Sequence, residues 1–170
     1  MNVRLACVDD LNEIMELYHL VSDMMEDSAY DIGWRKDVYP TKEIVLLDIE
    51  QQTLYVLEKN EKIIGAIVLN HEYEECYQNI YWQIYAEDEE VTIIHRFCIH
   101  PDYRGCGKYL LKQIIKIAKK DGQKSIRLDV VSSNKPAICL YEKCSFLLQG
   151  HQTDSYTHLR AHETDSYLVC

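Results

Sequence analysis

The stretch that decides the fold is Arg96–Lys112, which reads R-F-C-I-H-P-D-Y-R-G-C-G-K-Y-L-L-K. Apolar residues typical of a strand end at Pro101, and helical periodicity begins at Lys108. Between them, Gly105 and Gly107 have no Cβ, so backbone N–H groups there can approach a ligand closely. A helix that begins at such a turn directs its unpaired N–H groups and the positive end of its dipole to the same place. The stretch therefore predicts a receptor for phosphate oxygens.

Length and composition predict one globular domain, spanning all 170 residues. No apolar run approaches the roughly 20 residues that cross a bilayer, and no signal peptide is recognised. We therefore expect a cytoplasmic protein with no membrane partner. The seven cysteines lack the spacing of a zinc or redox motif, which predicts free thiols. The net charge of −10 argues against nucleic acid as a partner and is compatible with a cationic substrate.

Hydrophobic patterning along the whole chain predicts a mixed α/β fold. The expected strands are Val3–Cys7, Leu54–Leu57, Ile63–Leu69, Val91–Ile99, Ser125–Val131, Phe146–Gln149 and Ser166–Val169. The expected helices are Leu11–Met25, one capped by Thr41, one that begins near Lys108, and one capped by Asn134. This order indicates a single mixed sheet of six to seven strands flanked by about four helices. A right-handed crossover should join the parallel strands that contain Val91 and Val131.

Two blocks of sequence resemble the GCN5-related N-acetyltransferase (GNAT) superfamily. Arg104–Lys108 (R-G-C-G-K) matches the first five positions of the family's acetyl-CoA motif, and the preceding H-P-D-Y is also typical. Arg127–Phe146 (R-L-D-V-V-S-S-N-K-P-A-I-C-L-Y-E-K-C-S-F) is similar to its second conserved block. The resemblance implies the GNAT-like acyl-CoA N-acyltransferase fold, with acetyl-CoA as cosubstrate and no metal. It also implies acetyl transfer to a small-molecule or peptide primary amine, by direct attack in a ternary complex, and a homodimer is a possible assembly.

The resemblance also implies roles for individual residues. Backbone N–H groups would hold the pyrophosphate at Arg104, Gly105, Cys106, Gly107, Lys108 and Tyr109. The main chain of Phe97, Cys98 and Ile99 would pair with the pantetheine arm as an added strand does. An N–H near Ile99 would polarise the thioester carbonyl. Asn134 would contact the pantetheine amide or only cap its helix. Tyr141 would protonate the leaving thiolate as general acid, the alternative being a tyrosine packed in the core.

Three positions depart from the family pattern. Tyr109 stands where Gly or Ala is usual, so its side chain must point away from the pyrophosphate or narrow the pocket. Ser145 replaces a Gly, which costs roughly 1 kcal/mol if the residue is left-handed. Arg96 stands where many members carry a Glu as general base, and a guanidinium cannot accept a proton. The base is therefore open: His95, Glu72 and Tyr81 are substitutes by location, and a water relay is equally acceptable.

Other polar residues give weaker indications. Cys106, at a helix start between two cations, is either a redox-sensitive thiol or a spectator. His158 and His162 are four residues apart, but they lie outside any predicted helix, so no metal site is expected. The aromatic segments Tyr30–Tyr39 and Tyr73–Tyr85 are expected to form the acceptor pocket. A small cationic amine, a peptide N-terminus and an aminoglycoside fit these segments equally well.

Two other functions compete with an acetyltransferase. One is a catalytically weak acyl-CoA-binding regulatory domain, which the residues at Arg96 and Tyr109 support. The other is an α/β protein that binds another nucleotide, such as ATP. The chain has neither G-x-x-x-x-G-K-[ST] nor G-x-G-x-x-G, which disfavours this second alternative.

Overall fold

The computed structural model describes residues 1–26, 28–73, 77, 80–153 and 166–169. The strands within these residues are β1 (Asn2–Leu5), β2 (Leu54–Lys59), β3 (Lys62–Asn70), β4 (Val91–Ile99), β5 (Ser125–Arg127), β6 (Asp129–Val131), β7 (Gly150–Thr153) and β8 (Ser166–Val169). The α-helices within them are α1 (Leu11–Met25), α2 (Lys42–Glu50), α3 (Cys106–Lys120) and α4 (Lys135–Glu142). The mixed α/β fold with four α-helices is confirmed, but within the described residues its mixed sheet has five strands rather than six to seven, and the other three strands pair separately.

The described strands form two hydrogen-bonded sheets. Five strands pair in the order β1-β2-β3-β4-β5, and three pair in the order β6-β8-β7. All pairs are antiparallel except β4 with β5, which is parallel. Because α3 connects β4 to β5, the predicted strand–helix–strand crossover between parallel strands is confirmed.

The sheet separates two hydrophobic cores, and each core is covered by two helices. On one face α1 and α2 bury Ile14, Tyr18 and Val45 against β2 and β3. On the other face α3 buries Leu110 and Ile114, and α4 packs beside it. The apolar residues of α1 and α3 recur every three to four positions, so each helix presents one continuous apolar face to the sheet.

Two predicted strands were wrong in their extent. Ser125–Val131 is not one strand, because the pairing partner changes at the buried Leu128: β5 pairs with β4, and β6 pairs with β8. Phe146–Gln149 is not a strand either. After α4, the N–H of Phe146 donates to the carbonyl of Tyr141 at 3.1 Å, and the N–H of Ser145 donates to that of Glu142 at 3.0 Å. These two bonds form a Schellman turn, and the strand begins only at Gly150.

Candidate active site

A β-bulge in β4 shapes the centre of the molecule. In the ladder with β3, Cys98 pairs with Ala66 and His95 with Val68, so Arg96 and Phe97 together lie opposite one residue. Arg96 adopts φ 46°, a left-handed conformation that costs a non-glycine residue about 1–2 kcal/mol. The bulge bends β4 just beyond Ile93, where the pairing of β4 with β5 ends.

The loss of pairing opens a cavity between β4 and β6. Parallel pairing of β4 with β5 covers only Val91–Ile93, and β6 pairs with β8 instead. A cavity of about 610 Å³ lies between the diverging strands. Its lining includes five residues predicted from the sequence: Phe97, Cys98, Ile99, Asn134 and Tyr141. The edge of a strand therefore faces the cavity, which is the geometry that an added extended ligand requires.

A buried ion pair holds the bulge in place. The Arg96 guanidinium donates from Nε and Nη2 to the two carboxylate oxygens of Asp48 at 2.9 and 2.6 Å, and both side chains are nearly buried, at 11% and 6% exposure. Arg96 Nη1 donates to the hydroxyl of Tyr39 at 3.3 Å, and the Tyr18 hydroxyl donates to the Arg96 carbonyl at 2.8 Å. Burial opposes ionisation of Arg96, but its bonds to Tyr39 and Asp48 raise the pKa of the guanidinium above its usual value. Arg96 is therefore a fixed cation and a structural clamp.

Helix α3 begins without a side-chain cap at the turn Arg104–Gly107, which we call the glycine turn. Gly105, the residue before the helix, has φ 87°, and a Cβ built on it would meet nothing within 4 Å. Thr41 caps α2 by accepting from the N–H of Ile44, and Asn134 caps α4 by accepting from the N–H of Ala137. No described side chain does this at α3. Its first-turn amides therefore have no competing side-chain acceptor, as an anion-binding helix start requires.

Gly107 allows close helix packing and does not open space for a ligand. A Cβ there would lie 3.0 Å from Leu140 Cδ2 and 3.5 Å from side-chain atoms of Ile99 and Phe97. The absence of a side chain lets the start of α3 approach α4 and β4, whose residues line the end of the cavity. The turn itself borders the cavity through these neighbours and does not line it.

The other side chains at and just after the turn lie at the surface or against Met1. Arg104 and Lys108 are exposed, which leaves two cations at the surface beside the helix start. The hydroxyl of Tyr109 donates to the Met1 carbonyl at 3.3 Å, so its side chain is directed to the N-terminal residue. Cys106 is half-buried, with Sγ 3.7 Å from Met1 Sδ.

Tyr141 projects from α4 into the cavity and is held by aromatic neighbours. Its ring centroid lies 6.3 Å from that of Phe97 and 5.7 Å from that of Phe146, in tilted and edge contacts. Its own carbonyl accepts the N–H of Phe146 in the turn that ends α4. Ser145 in that turn has φ 69°, the left-handed conformation expected for this position. The packing and the turn together fix where the phenol points.

The three side chains considered as a base differ in access to the cavity. Tyr81 is 90% exposed and Glu72 is also at the surface; neither lines the cavity. His95 lines it, but its Nε2 is buried without a hydrogen-bond partner. Burial first, and then the charge of Arg96, lowers the pKa of His95, so the imidazole is neutral near pH 7. Cys98 beside it is inert as a thiol, because burial raises its pKa to about 12.

Asp129 is a site residue that sequence reasoning missed. It lines the cavity at the start of β6, and one carboxylate oxygen accepts the Tyr77 hydroxyl at 2.7 Å. Among the described residues that line the cavity, it is the sole carboxylate. The sequence does contain one indication of this residue, an Asp within the otherwise apolar run L-D-V-V. An unpaired carboxylate is too costly to bury in a core, so its side chain should face a polar partner or a cavity.

The two aromatic segments have different positions. Tyr30, Trp34 and Tyr39 line the cavity, and the Trp34 ring lies edge-on to Tyr18 and Tyr39 with centroids 5.5 and 6.3 Å away. The described residues within 73–85 do not line it. They form a separate cluster in which Arg127 lies over the Trp82 ring, 3.9 Å from its centroid. The segment affects the cavity only indirectly, through the hydrogen bond by which Tyr77 orients Asp129.

Across the described part of the chain, no three His, Cys, Asp or Glu side chains come together as a metal site. His158 and His162 lie outside the described residues. None of the described helices is both long and apolar enough to cross a membrane.

Comparison with known proteins gives a consistent result. The model of the Acetyltransferase (GNAT) family matches residues 10–146. An uncharacterized N-acetyltransferase of Methanocaldococcus jannaschii is 30% identical over 152 residues, which are 85% of this chain and 59% of the relative, so the chain spans less than two thirds of that protein. A Bacillus subtilis protein, named as a candidate [ribosomal protein bS18]-alanine N-acetyltransferase, is 27% identical over 92% of this chain and 85% of its own length. A candidate acetyltransferase of Salmonella typhimurium, solved with its cofactor acetyl-CoA, superposes with a TM-score of 0.69 at 17% identity, covering all of this chain (100%) and 92% of that one.

Proposed function

The chain belongs to the acetyltransferase (GNAT) family, and we propose that it transfers the acetyl group of acetyl-CoA to a primary amine by direct attack in a ternary complex. The observation that carries the proposal is the cavity between the diverging strands β4 and β6. One wall is strand edge, the other carries the phenol of Tyr141, and a helix start without a side-chain cap borders one end. An extended thioester and a second reactant both fit this shape.

The cofactor is assigned to the part of the cavity nearest the glycine turn. The N–H groups of Arg104–Tyr109 would hold the pyrophosphate, with exposed Arg104 and Lys108 beside it. The main chain of Phe97–Ile99 would hydrogen-bond the pantetheine arm, because the edge of β4 opposite β3 has no strand partner there. Asn134 uses its carbonyl oxygen to cap α4, so its amide NH₂ is the group that would reach the pantetheine.

The reaction needs four groups at the thioester. The neutral amine attacks the carbonyl carbon, and a backbone N–H near Ile99 stabilises the oxyanion that forms. Collapse of the tetrahedral intermediate breaks the C–S bond, and the Tyr141 hydroxyl protonates the departing thiolate. Asp129 holds the incoming ammonium and takes one proton from it, directly or through water, which leaves the neutral amine for attack. After attack the nitrogen loses a second proton, which restores the Tyr141 hydroxyl. The products are CoA and an N-acetyl amide.

The assignment of Tyr141 is tested by Tyr141→Phe. We expect kcat to fall by about 10²-fold with little change in acetyl-CoA affinity, because the variant keeps the ring and removes the proton donor. The measurement is CoA release at saturating acetyl-CoA, beside a calorimetric titration of the cofactor. Tyr55→Phe, a half-buried tyrosine outside the cavity, is the matched control. An unchanged kcat in Tyr141→Phe would make Tyr141 a packing residue only.

The alternative is an acyl-CoA-binding domain with little turnover, and the clamp at Arg96 favours it. Where many family members carry a Glu, this chain has a cation committed to Asp48. The two functions separate when CoA release is measured with a panel of amines. The panel includes a peptide that begins with alanine, because the name of the B. subtilis relative specifies the alanine of ribosomal protein bS18. Tight acetyl-CoA binding with no CoA release from any amine would establish the binding domain.

A further inference from the structure

The cavity has two ends. The end near the glycine turn is lined by the edge of β4, whereas the far end is lined mainly by apolar and aromatic side chains. It is formed by side chains of α1 and of the segment that follows α1: Met24, Met25, Tyr30, Ile32 and Trp34. These are apolar or aromatic groups, and the two methionines adapt to varied shapes. Phe97 and Ile99 lie beside Gly107 and Tyr141 contacts Phe97, so the thioester is expected at that end, and this wall is left for the substituent of the acceptor amine.

Few charges line this cavity. Among the described lining residues, Asp129 is the one carboxylate and Arg96 is the one permanent cation. Arg96 is committed to Asp48 in a bidentate pair, and His95 is neutral at pH 7. The site therefore offers one anionic partner, which suits one ammonium group. A second ammonium on the same molecule would be desolvated beside a guanidinium with no carboxylate to meet it.

The rim of the cavity supports the same conclusion independently. Tyr30 is 43% exposed and Met24 is 56% exposed, although both border the cavity. Because both side chains border the same cavity, an apolar group bound there would cover them together. Trp34 lies deeper, where its edge contacts with Tyr18 and Tyr39 hold it rigid. A rigid aromatic wall with an adaptable rim suits a flat or branched apolar substituent.

We infer that the acceptor is a singly charged primary amine whose substituent is apolar, with an aromatic ring preferred, and not a polyamine or an aminoglycoside. This inference rests on the proposed function and names the substrate class of the same site. Asp129, oriented by Tyr77, anchors the ammonium, and Tyr30, Trp34 and the methionines cover the substituent. The same chemistry is presented by a free arylalkylamine and by the N-terminus of a peptide that begins with an aromatic residue.

The test measures binding and turnover separately. Phenethylamine, the tripeptide Phe-Gly-Gly, spermidine and kanamycin are titrated calorimetrically into the full chain saturated with CoA, which has no acetyl group to transfer. The same four amines are then assayed for CoA release with acetyl-CoA. We expect phenethylamine or Phe-Gly-Gly to bind about tenfold more tightly than spermidine and kanamycin, and to have the higher kcat/KM by a similar factor. The better of the two aromatic amines identifies the source.

Two variants test whether the preference for aromatic amines comes from the wall of the cavity that contains Tyr30. Tyr30→Ala is expected to weaken binding of the preferred aromatic amine about fivefold, with an unchanged affinity for CoA, because Tyr30 covers the substituent only. Tyr81→Ala removes an equally large but 90% exposed ring outside the cavity and should change neither affinity. Tighter binding of spermidine or kanamycin, or equal effects of the two variants, would overturn the inference. Aromatic amines that bind without CoA release from any of the four would support it and overturn the proposed acetyl transfer.

Discussion

The two ends of the cavity are built from different parts of the polypeptide. At the glycine turn, the proposed binding groups are main-chain atoms of β4 and the start of α3, which lie within one short stretch of sequence. At the other end, the proposed binding groups are side chains brought from α1, the segment after α1, and β6. The first end depends on backbone conformation, and the second depends on contacts between residues that are distant in the chain.

This difference explains which residues tolerate change. In the proposed site Cys106 and Lys108 contribute main-chain amides, so we expect their side chains to tolerate change as long as the turn forms. Asp48 contributes a side chain that does not touch the cavity, but it fixes Arg96 and through it the bulge that the cavity needs. Substitutions that alter the backbone should therefore affect the glycine end most, and substitutions that remove a side chain should affect the other end most.

The largest effect is expected for Asp48→Ala. Without its carboxylate partner, the Arg96 guanidinium is buried and unpaired, which lowers the free energy of unfolding by roughly 3–5 kcal/mol. Chemical denaturation of the purified variants measures this change. Glu50→Ala removes an exposed carboxylate from the same helix and should change stability by less than about 0.5 kcal/mol. Similar losses in both variants would show that the clamp at Arg96 does not hold this end together.

A smaller effect of opposite sign is expected for Ser145→Gly. Ser145 is left-handed, with φ 69°, at the turn that ends α4 behind Tyr141. Glycine adopts this conformation without a Cβ penalty, so the free energy of unfolding should rise by about 1 kcal/mol. Ser125→Gly, placed in the extended strand β5, should instead lower it by about 0.5–1 kcal/mol. A loss of stability in Ser145→Gly would contradict the conformational account of this turn.

The smallest effect is a pH dependence that comes from His95, at the boundary between the two ends. Its pKa is lowered by burial in the folded protein, whereas the unfolded chain has the ordinary value near 6.5. As pH falls below about 6.5, the unfolded state binds a proton that the folded state resists, so stability decreases by at most about 1.4 kcal/mol per pH unit. Denaturation of wild type and His95→Gln between pH 5 and pH 7 compares the two slopes. The variant should have the flatter profile, and parallel profiles would show that His95 is not responsible.

The comparison also shows what could be predicted from the sequence. The bounds of α1 follow from apolar periodicity, which is a local signal. The same signal predicted the start of α3 near Lys108, two residues after its observed start at Cys106. The partner of Arg96 did not follow, because Asp48 lies 48 residues away and only tertiary packing joins them. Asp129 was missed because its role depends on Tyr77, 52 residues earlier. The break at Leu128 was hidden for a similar reason, since a continuous apolar run gives no sign that its pairing partner changes.

The most direct test of the central claim compares the two ends of α3. Gly105 and Gly122 both have left-handed backbones, with φ 87° and 80°, and a Cβ on either would meet nothing within 4 Å. Gly105→Ala and Gly122→Ala should therefore each lower stability by a similar amount, about 1–2 kcal/mol. In calorimetric titrations with acetyl-CoA, we predict that Gly105→Ala raises Kd by about tenfold, because it distorts the proposed pyrophosphate site, and that Gly122→Ala leaves Kd unchanged. Equal Kd values in both variants would contradict a cofactor bound at the glycine turn.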